Sequence, residues 1–266
     1  MTDLVLINGQ IISSSEARLD AVSSACLYGT GVFTTVAIAE YQPLFWEKHW
    51  RRLVANAARL DIDISKFDEG STAEKLAELI GKKQVKRGRA RITFSDESPS
   101  EAWSDGGERK TSLSIITGRR REVVKKFKLT ASPYPINTAS PLVGMKSSNY
   151  LEYLMALEEA KARRFNEAIR LNELSEVTSA CMANFFWLKG GRLYTPSLQT
   201  GCLPGTTREF VIENLECDEV EAGIEALHEA DEIFLTSAGI GVVQVAEFDG
   251  RKLRCGDHQI TRILPF

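Results

Sequence analysis

A single lysine, Lys146, stands just before a predicted helix and has the chemistry of a nucleophile. It lies in GMKSSNYLEYLMALEEAK, residues 144–161, where apolar residues recur at helical spacing. The predicted apolar face comprises Tyr150, Tyr153, Leu154, Leu157 and Ala160. A lysine amine that loses its hydration has a lowered pKa, and the neutral amine can attack a carbonyl carbon. An ordinary lysine at a helix start is the alternative, and the pattern alone leaves both interpretations open.

The loop and helix start at residues 201–215, GCLPGTTREFVIENL, form a second candidate site. Gly205 lets the backbone approach a ligand closely, and Thr206 and Thr207 can cap the helix and offer hydroxyl groups. Unpaired N–H groups at a helix N-terminus attract anions, phosphate among them. A capped helix without a ligand is the alternative, so phosphate binding is a hypothesis at this point.

Two further residues can contribute to an anion site. Ser237 lies in FLTSAG, a second segment with hydroxyl groups. Arg52, on a tryptophan-rich helix, can add a charge-assisted hydrogen bond to the same anion. For Arg52 the alternative is a surface arginine beside Arg51. The chain therefore offers an amine nucleophile and the components of a phosphate site.

The elements expected to position these residues are a mixture of strands and helices. An Asn-Gly turn joins DLVLING to QIISS and predicts an initial hairpin. Helices are predicted for FWEKHWRRLVANAARLDI, for residues 72–80, and after Lys146 and Gly205. Alternation and β-branched content predict strands in YGTGVFTTVAIAE, RARITFS, KTSLSIIT, FKLTASPYP, EAIRLN, EVTSACMANFFWLK, RLYTPS and ADEIFLTSAGIGVVQVAEFDGRKL.

This order of elements predicts an α+β protein of two domains. The composition turns basic and polar near residues 118–124, and we place the boundary there. Residues 1–120 then form a small N-terminal α+β domain, and residues 121–266 a larger, β-rich C-terminal domain. The segment DESPSEAWSDGGERK, residues 96–110, is predicted to be a polar loop.

The composition excludes several classes of function. A net charge of −3 without a basic stripe argues against nucleic acid as a partner. No segment approaches the ~20 apolar residues of a membrane span, and the N-terminus lacks the pattern of a signal peptide. The five scattered cysteines and three separated histidines predict neither a disulfide framework nor a metal site. A cytoplasmic protein is the resulting expectation.

In the order of its motifs the chain resembles the fold-type-IV enzymes of pyridoxal 5'-phosphate (PLP), the class IV aminotransferase family. YGTGVFTT is similar to the family's Tyr-Gly-Asp-Gly-Val-Phe, HWRRL to its His-x-x-Arg-Leu, and SPLVGMKSSN to its lysine segment. NFFWLKGGRLYTPSL and GCLPGTTR resemble its hairpin and phosphate loop. The resemblance covers nearly the whole chain. It implies PLP as cofactor, an amino-acid-like substrate, a D-amino-acid aminotransferase-like fold, and a homodimer.

The resemblance also assigns roles to individual residues. Lys146 is implied to be catalytic, as the Schiff-base lysine that later transfers protons. Leu203 is implied to pack on the pyridine ring, and Tyr150 to reach the phenolic oxygen, although many aminotransferases place that tyrosine one residue further on. The phosphate is implied to be held near Arg52 and the helix start. The full set implied to bind the cofactor is Arg52, Lys146, Tyr150, Ser179, Leu203, Gly205, Thr206, Thr207, Ser237 and Ala238.

The chain departs from the family at the pyridine nitrogen. The family places a glutamate five residues before the hairpin asparagine, and this chain has Ser179 there. Glu176 lies three residues early, which on a strand is the opposite face, so its use would require a bulge. A serine does not force a proton onto the nitrogen, so we expect a weaker electron sink.

Within the family the chain resembles the 4-amino-4-deoxychorismate lyases most, in its lysine-to-asparagine spacing and its ANFFW tract. Arg91 falls where these lyases carry a lysine and is a candidate for binding a substrate carboxylate, with Thr35 as a second substrate-binding candidate. Elimination driven by aromatisation tolerates a weak electron sink. The alternatives are an aminotransferase for D- or branched-chain amino acids and a PLP-binding protein without turnover.

Overall fold

The computed structural model describes residues 3–100, 102–103, 107–120 and 122–264. The chain divides into two compact units. The first comprises Met1–Arg121 and Lys146–Asn149, and the second comprises Glu122–Met145 and Tyr150–Phe266. Four residues around the lysine therefore group with the N-terminal unit, although in sequence they lie within the predicted domain 121–266. No described helix has the length and apolar character needed to cross a membrane.

The first unit is built on a mixed set of strands and helices. Its elements are β1 (Leu4–Ile7), β2 (Gln10–Ser13), α1 (Ser24–Tyr28), β3 (Gly31–Ala39), β4 (Gln42–Pro43), α2 (Trp46–Arg59), α3 (Glu69–Lys82), β5 (Arg87–Asp96) and β6 (Thr111–Arg119). In the described residues the strands form one antiparallel sheet in the order β2-β1-β6-β5-β3-β4. The long strands β3, β5 and β6 therefore lie side by side at its centre.

Local sequence accounts for the main elements of this unit. Asn8 and Gly9 both have positive φ angles, 49° and 83°, as the predicted two-residue hairpin turn requires. The Asp68 carboxylate caps α3 by accepting a hydrogen bond from the Ser71 N–H at 2.8 Å. Helix α2, which was predicted, buries Trp50 and Leu53 three residues apart on one face. The hairpin and both helices were predictable because their signals are local.

The second unit contains most of the strands. Its elements are β7 (Phe127–Ala131), α4 (Leu151–Ala162), β8 (Glu167–Leu171), β9 (Val177–Ala180), β10 (Asn184–Lys189), β11 (Arg192–Pro196), α5 (Thr206–Asn214), β12 (Asp218–Val220), α6 (Glu225–His228), β13 (Glu232–Ser237), β14 (Gly241–Phe248), β15 (Arg251–Lys252) and 3₁₀ turns at Leu198–Thr200 and Gln259–Arg262. Within the described chain the sheet order is β12-β11-β10-β13-β14-β7-β8-β9, and β15 pairs with β14. Its core includes the buried aromatic residues Phe185, Trp187 and Phe248.

Two sequence-based expectations are corrected by the structure, and one element was not expected. The segment predicted as one strand, residues 176–189, is two strands, because residues 181–183 turn between β9 and β10. Leu154, predicted on the apolar face of α4, is exposed, whereas Leu157 and Ala160 are buried as predicted. The short helix α1 was not predicted, since five residues carry too little periodicity to be recognised.

The predicted polar loop at residues 96–110 falls partly outside the described residues, at Glu101 and residues 104–106. In its described part, the Trp103 indole N–H donates a hydrogen bond to the Tyr28 hydroxyl at 2.9 Å. The Trp103 side chain is otherwise exposed.

Candidate active site

The backbone around Lys146 extends strand β3 of the first unit. The Phe33 N–H donates a hydrogen bond to the Lys146 carbonyl at 2.9 Å, and the Ser148 N–H donates to the Gly31 carbonyl at 2.7 Å. Gly31 is necessary for this approach, because a Cβ there would lie 2.9 Å from the Ser148 hydroxyl. The lysine is therefore held by main-chain bonds to a central strand.

Two cationic side chains meet at the ring of Phe33. The Lys146 Nζ lies 4.5 Å from the ring centroid, and the Arg91 guanidinium carbon lies 3.5 Å from it. Arg91 is on β5, opposite Thr35 of β3, so the two predicted substrate-binding residues project from the same face. The Arg91 Nε also donates to the Thr93 hydroxyl at 3.2 Å. This face thus combines a nucleophilic amine with a positioned guanidinium.

The amine of Lys146 is desolvated and surrounded by positive charge. Burial of the amine is the largest cause that lowers its pKa to about 7, and the charges of Arg52 and Arg91 lower it further. The residue as a whole is half-buried. At neutral pH a large fraction of this amine is unprotonated and able to attack a carbonyl carbon.

This pKa predicts the pH dependence of labelling. In protein without cofactor, the rate of reductive methylation of Lys146 by formaldehyde should rise with pH to a plateau, with a midpoint about 7. The sign follows because only the neutral amine reacts, and it dominates above its pKa. Peptide mass spectrometry measures the rate, and Nα-acetyl-lysine, with a pKa of about 10.4, is the control. A midpoint near that of the control would contradict the desolvated site.

A buried hydrogen-bond chain positions Arg52. Its Nη2 donates to the Thr34 hydroxyl at 2.7 Å, and that oxygen lies 2.6 Å from His49 Nδ1. Burial, with the charges of Arg52 and Lys146, lowers the pKa of His49 well below its usual value, so the ring is neutral. Since arginine can only donate, the Thr34 hydroxyl accepts from Arg52, and the donor in its bond with His49 is set by the tautomer of the ring.

Replacing Thr34 with valine should weaken PLP binding about tenfold, because Arg52 and His49 lose their shared partner inside the protein. PLP titration followed by absorbance measures the affinity. Thr117→Val is the matched control in the same unit, since the buried Thr117 hydroxyl has no hydrogen-bond partner among the described residues. Unchanged affinity in Thr34→Val would show that this chain does not position Arg52 for the cofactor.

In the second unit, the predicted phosphate loop ends at the N-terminus of α5. Gly205 is the N-cap residue, and no side chain caps the helix. Thr206 and Thr207 are its first two residues and are buried, so the expectation that they cap the helix is wrong. The first N–H groups of a helix have no partner within it, so this end retains the character of an anion site.

Strand residues pack closely against this loop. The Asn184 side-chain amide donates to the Leu203 carbonyl at 2.8 Å, and a Cβ on Gly205 would lie 1.9 Å from Asn184 Oδ1. Thr236 is paired with Asn184 across β13 and β10, and its buried hydroxyl has no partner among the described residues. A buried hydroxyl of this kind can donate a hydrogen bond to a bound anion.

The Gly205→Ala substitution should destabilise the protein by about 1–3 kcal/mol, because Asn184 must move and the loop must shift. PLP affinity should fall with it. Denaturant unfolding and PLP titration are the measurements. Gly81→Ala is the control, since a Cβ at Gly81 in helix α3 meets nothing within 4 Å. Wild-type stability in Gly205→Ala would mean that the close approach is not required.

The predicted pyridine-nitrogen position is occupied by Ser179, buried on β9 opposite Arg170 of β8. The bulge that Glu176 would need is present, because Leu171 pairs with Val177 while Arg170 pairs with Ser179. The Glu176 carboxylate is nevertheless engaged elsewhere, accepting a hydrogen bond from the Asn172 amide at 2.7 Å. Glu176 therefore stabilises the turn between β8 and β9.

The remaining predicted residues of the second unit lie in three places. Tyr150 is the N-cap residue of α4; its hydroxyl donates to the Cys181 carbonyl at 3.3 Å, and its ring stacks on Tyr153. Leu203 is half-buried in the phosphate loop. Ser237 ends β13, and Ala238 follows it, both half-buried.

The predicted residues are thus divided between the two units. Arg52, Lys146, Arg91 and Thr35 belong to the first, and the others belong to the second. Sequence reasoning missed the roles of Phe33, Thr34, His49 and Asn184. All four lie in motifs that were recognised, so a signal existed for them. No group of His, Cys, Asp or Glu side chains in the described chain is arranged to hold a metal.

Both units have the chemistry that a phosphorylated aldehyde cofactor requires. The first supplies an amine whose pKa is lowered to about 7 and an arginine oriented by Thr34. The second supplies a helix N-terminus, a glycine whose Cβ would collide with Asn184, and the orphaned Thr236 hydroxyl. These residues fit PLP.

Comparison with known proteins agrees with this geometry. The family described as amino-transferase class IV matches residues 31–248. The chain is 30% identical to an aminodeoxychorismate lyase from Bacillus subtilis over 260 residues, 92% of this chain and 87% of that protein. A crystal structure of a branched-chain aminotransferase from Thermoproteus uzoniensis superposes with a TM-score of 0.91 at 25% identity, covering 99% of this chain and 92% of that one.

A protein from Legionella pneumophila assigned as a 4-amino-4-deoxychorismate lyase superposes with a TM-score of 0.85 at 26% identity, and 94% of each chain is covered. These likenesses confirm the predicted fold class, a two-part α+β arrangement of the fold-type-IV kind.

Proposed function

Because the chain belongs to the class IV amino-transferase family, we propose that it is a lyase that converts 4-amino-4-deoxychorismate into 4-aminobenzoate and pyruvate. It is a PLP-dependent enzyme of that family. The similarity to the Bacillus subtilis lyase, at 30% identity over nearly the whole chain, supports the proposed reaction. Two aspects of the site, the pyridine-nitrogen position and Arg91, support it further.

The chain's own residues divide the work. Lys146 would hold PLP at its aldehyde carbon, and its amine would be the group that moves the proton at the substrate Cα. Arg52 and the first turn of α5 bind the phosphate, and Arg91 binds a substrate carboxylate. When bound, PLP withdraws electrons from the substrate carbon that loses its proton. The full set proposed to contact cofactor or substrate is Arg52, Lys146, Tyr150, Ser179, Leu203, Gly205, Thr206, Thr207, Ser237, Ala238, Arg91 and Thr35.

The observation that carries the choice of a lyase is the lack of a carboxylate at Ser179. Glu176, the carboxylate that a bulge could have supplied, is hydrogen-bonded to Asn172. Without a carboxylate the pyridine nitrogen is not held protonated, and the cofactor is a weaker electron sink. Formation of the aromatic ring of 4-aminobenzoate supplies driving force that transamination lacks. An elimination therefore suits this site better than a transamination.

An aminotransferase for D- or branched-chain amino acids is the second candidate, and the branched-chain aminotransferase superposition at 25% identity favours it. The test supplies 4-amino-4-deoxychorismate without a keto acid and follows pyruvate with lactate dehydrogenase. Pyruvate formation supports the lyase. Turnover that appears only with an amino acid and a keto-acid acceptor supports the aminotransferase, and PLP binding without either reaction indicates a non-catalytic binding protein.

We also propose that the enzyme is a homodimer in the cytoplasm. Three large apolar side chains at the start of α4, Leu151, Leu154 and Met155, are exposed in the single chain. Neighbouring exposed apolar groups of this kind are typical of surfaces that associate. Sedimentation equilibrium at micromolar concentration should give twice the chain mass of 29.5 kDa, and a monomer would contradict the proposal.

A further inference from the structure

Arg170 is a fully buried cation on strand β8 whose role the proposed function leaves open. Its Nε donates to the Tyr134 carbonyl at 3.1 Å, and its Nη2 donates to the Pro135 carbonyl at 2.6 Å. Nη2 also contacts the carboxylate of Glu152, which is mostly exposed, at 3.2 Å. The third nitrogen, Nη1, is buried and has no hydrogen-bond partner in the described part of the chain. A buried donor without an acceptor costs stability unless a ligand accepts its hydrogen bond.

The position of Arg170 connects it with residues already assigned to the cofactor. Arg170 and Ser179 oppose each other across β8 and β9, so their side chains project from one face. On that face the guanidinium carbon lies 4.9 Å from the ring centroid of Tyr153, which stacks on Tyr150 at 4.6 Å. The guanidinium therefore belongs to the same cluster as Ser179 and Tyr150.

The other groups of this cluster do not compete for the free donor. Glu152 already contacts Nη2, and burial raises the pKa of Tyr153, so its hydroxyl is neutral. The buried thiol of Cys181 is likewise neutral, since desolvation raises its pKa. The carboxylate of Glu167 accepts from the Cys181 and Ala168 N–H groups. Among the described residues, the chain thus presents beside Ser179 a permanent cation whose Nη1 amino group is unused.

We propose that Arg170 contacts the cofactor directly: its Nη1 donates a hydrogen bond to the pyridine nitrogen of PLP and keeps that nitrogen unprotonated. The inference rests on the assignment of Ser179 to the pyridine nitrogen in the proposed function. A guanidinium cannot give up its proton at physiological pH, so a nitrogen that accepts from it must use its lone pair. A positive charge within hydrogen-bonding distance also disfavours a second positive charge on the ring. Ser179, which replaces a carboxylate, and Arg170 on the facing strand would then both keep the ring nitrogen unprotonated.

The experiment measures the protonation state of the nitrogen by NMR of protein loaded with PLP labelled with ¹⁵N in the ring. Wild type should show the free-base resonance, unchanged from pH 6 to pH 9. Arg170→Leu should raise the pKa of the ring nitrogen by at least one unit, a tenfold change in protonation. Arg170→Lys, which retains the charge, should keep the wild-type state, and Arg170→Leu with Ser179→Glu should show a protonated ring.

Arg251→Leu is the matched control, because Arg251 also donates from Nη2 to two backbone carbonyls, those of Leu227 and Ala230, but does not oppose Ser179. It should leave the ring resonance unchanged. A protonated ring in wild type, or a free-base ring that Arg170→Leu leaves unaltered, would overturn the inference and leave the lyase proposal intact. Failure of wild type to bind PLP would instead overturn the site proposed above. A protonated ring in wild type overturns the inference even if Arg170→Leu fails to fold.

Discussion

The Lys146→Ala variant is expected to lose at least about a thousandfold in turnover and to lose the visible absorption band of bound PLP. The amine of Lys146 is both the group that binds the cofactor aldehyde and the base that moves the substrate proton, and no described side chain replaces it. Its lowered pKa, about 7, leaves the neutral form abundant in the range where the enzyme is assayed. Both functions therefore disappear with one side chain.

Absorbance spectra and pyruvate release measure these losses. Lys161→Ala is a suitable control, because Lys161 is exposed on α4 and pairs with Glu158. Added methylamine should restore part of the activity of Lys146→Ala, since a small amine can replace the missing base. A Lys146→Ala protein that keeps the visible band and the wild-type rate would remove the basis of the proposed function.

Arg91→Met should lower kcat/KM for 4-amino-4-deoxychorismate by about a hundredfold, mainly through a higher KM. A charge-assisted hydrogen bond to a carboxylate contributes more than a neutral one, and its loss leaves the substrate anion without a counter-charge. The guanidinium is already held against Phe33 at 3.5 Å, so little ordering is needed on binding. The PLP absorption band should remain.

Steady-state kinetics with the wild type and Arg91→Met separate kcat from KM. Arg89→Met is the matched control, because Arg89 lies two residues earlier on β5 and is exposed. Equal losses in both variants would indicate a general effect of positive charge on substrate approach. An unchanged KM in Arg91→Met would show that another residue binds the carboxylate.

The site residues that could be predicted from the sequence are those that lie within short, contiguous motifs. Lys146, Arg52 and the Gly205–Thr207 loop each lie in a short segment that resembles a family motif, and that resemblance favoured a cofactor role where the pattern alone left alternatives open. The Asn8–Gly9 turn was likewise predictable, because the two strands that it joins pair next to it. The Asp68 cap of α3 was not recognised, and the helix was predicted to begin at residue 72 and not at Glu69.

The rest depended on pairings between distant segments. The pairing of Arg170 with Ser179 depends on a bulge that leaves Thr178 without a partner in the ladder. No local sequence pattern predicts which residue will be the bulged one. The contact of Thr34 with Arg52 spans eighteen positions, from a strand to a helix. The split between β9 and β10 was missed because residues 181–183, Cys-Met-Ala, are apolar and carry no turn signal.

The attachment of residues 146–148 to the edge of β3 limits how this loop can change length during evolution or design. Phe33 donates to the Lys146 carbonyl, so the lysine projects from a defined side of an extended backbone. Inserting or deleting one residue between Lys146 and Ser148, the two residues that are hydrogen-bonded to β3, would exchange the two sides, since side chains alternate along extended chain. The amine would then point away from Phe33, whereas two added residues would restore its direction. Loop grafts taken from relatives of different length should therefore be chosen by even or odd residue count before any side chain is considered.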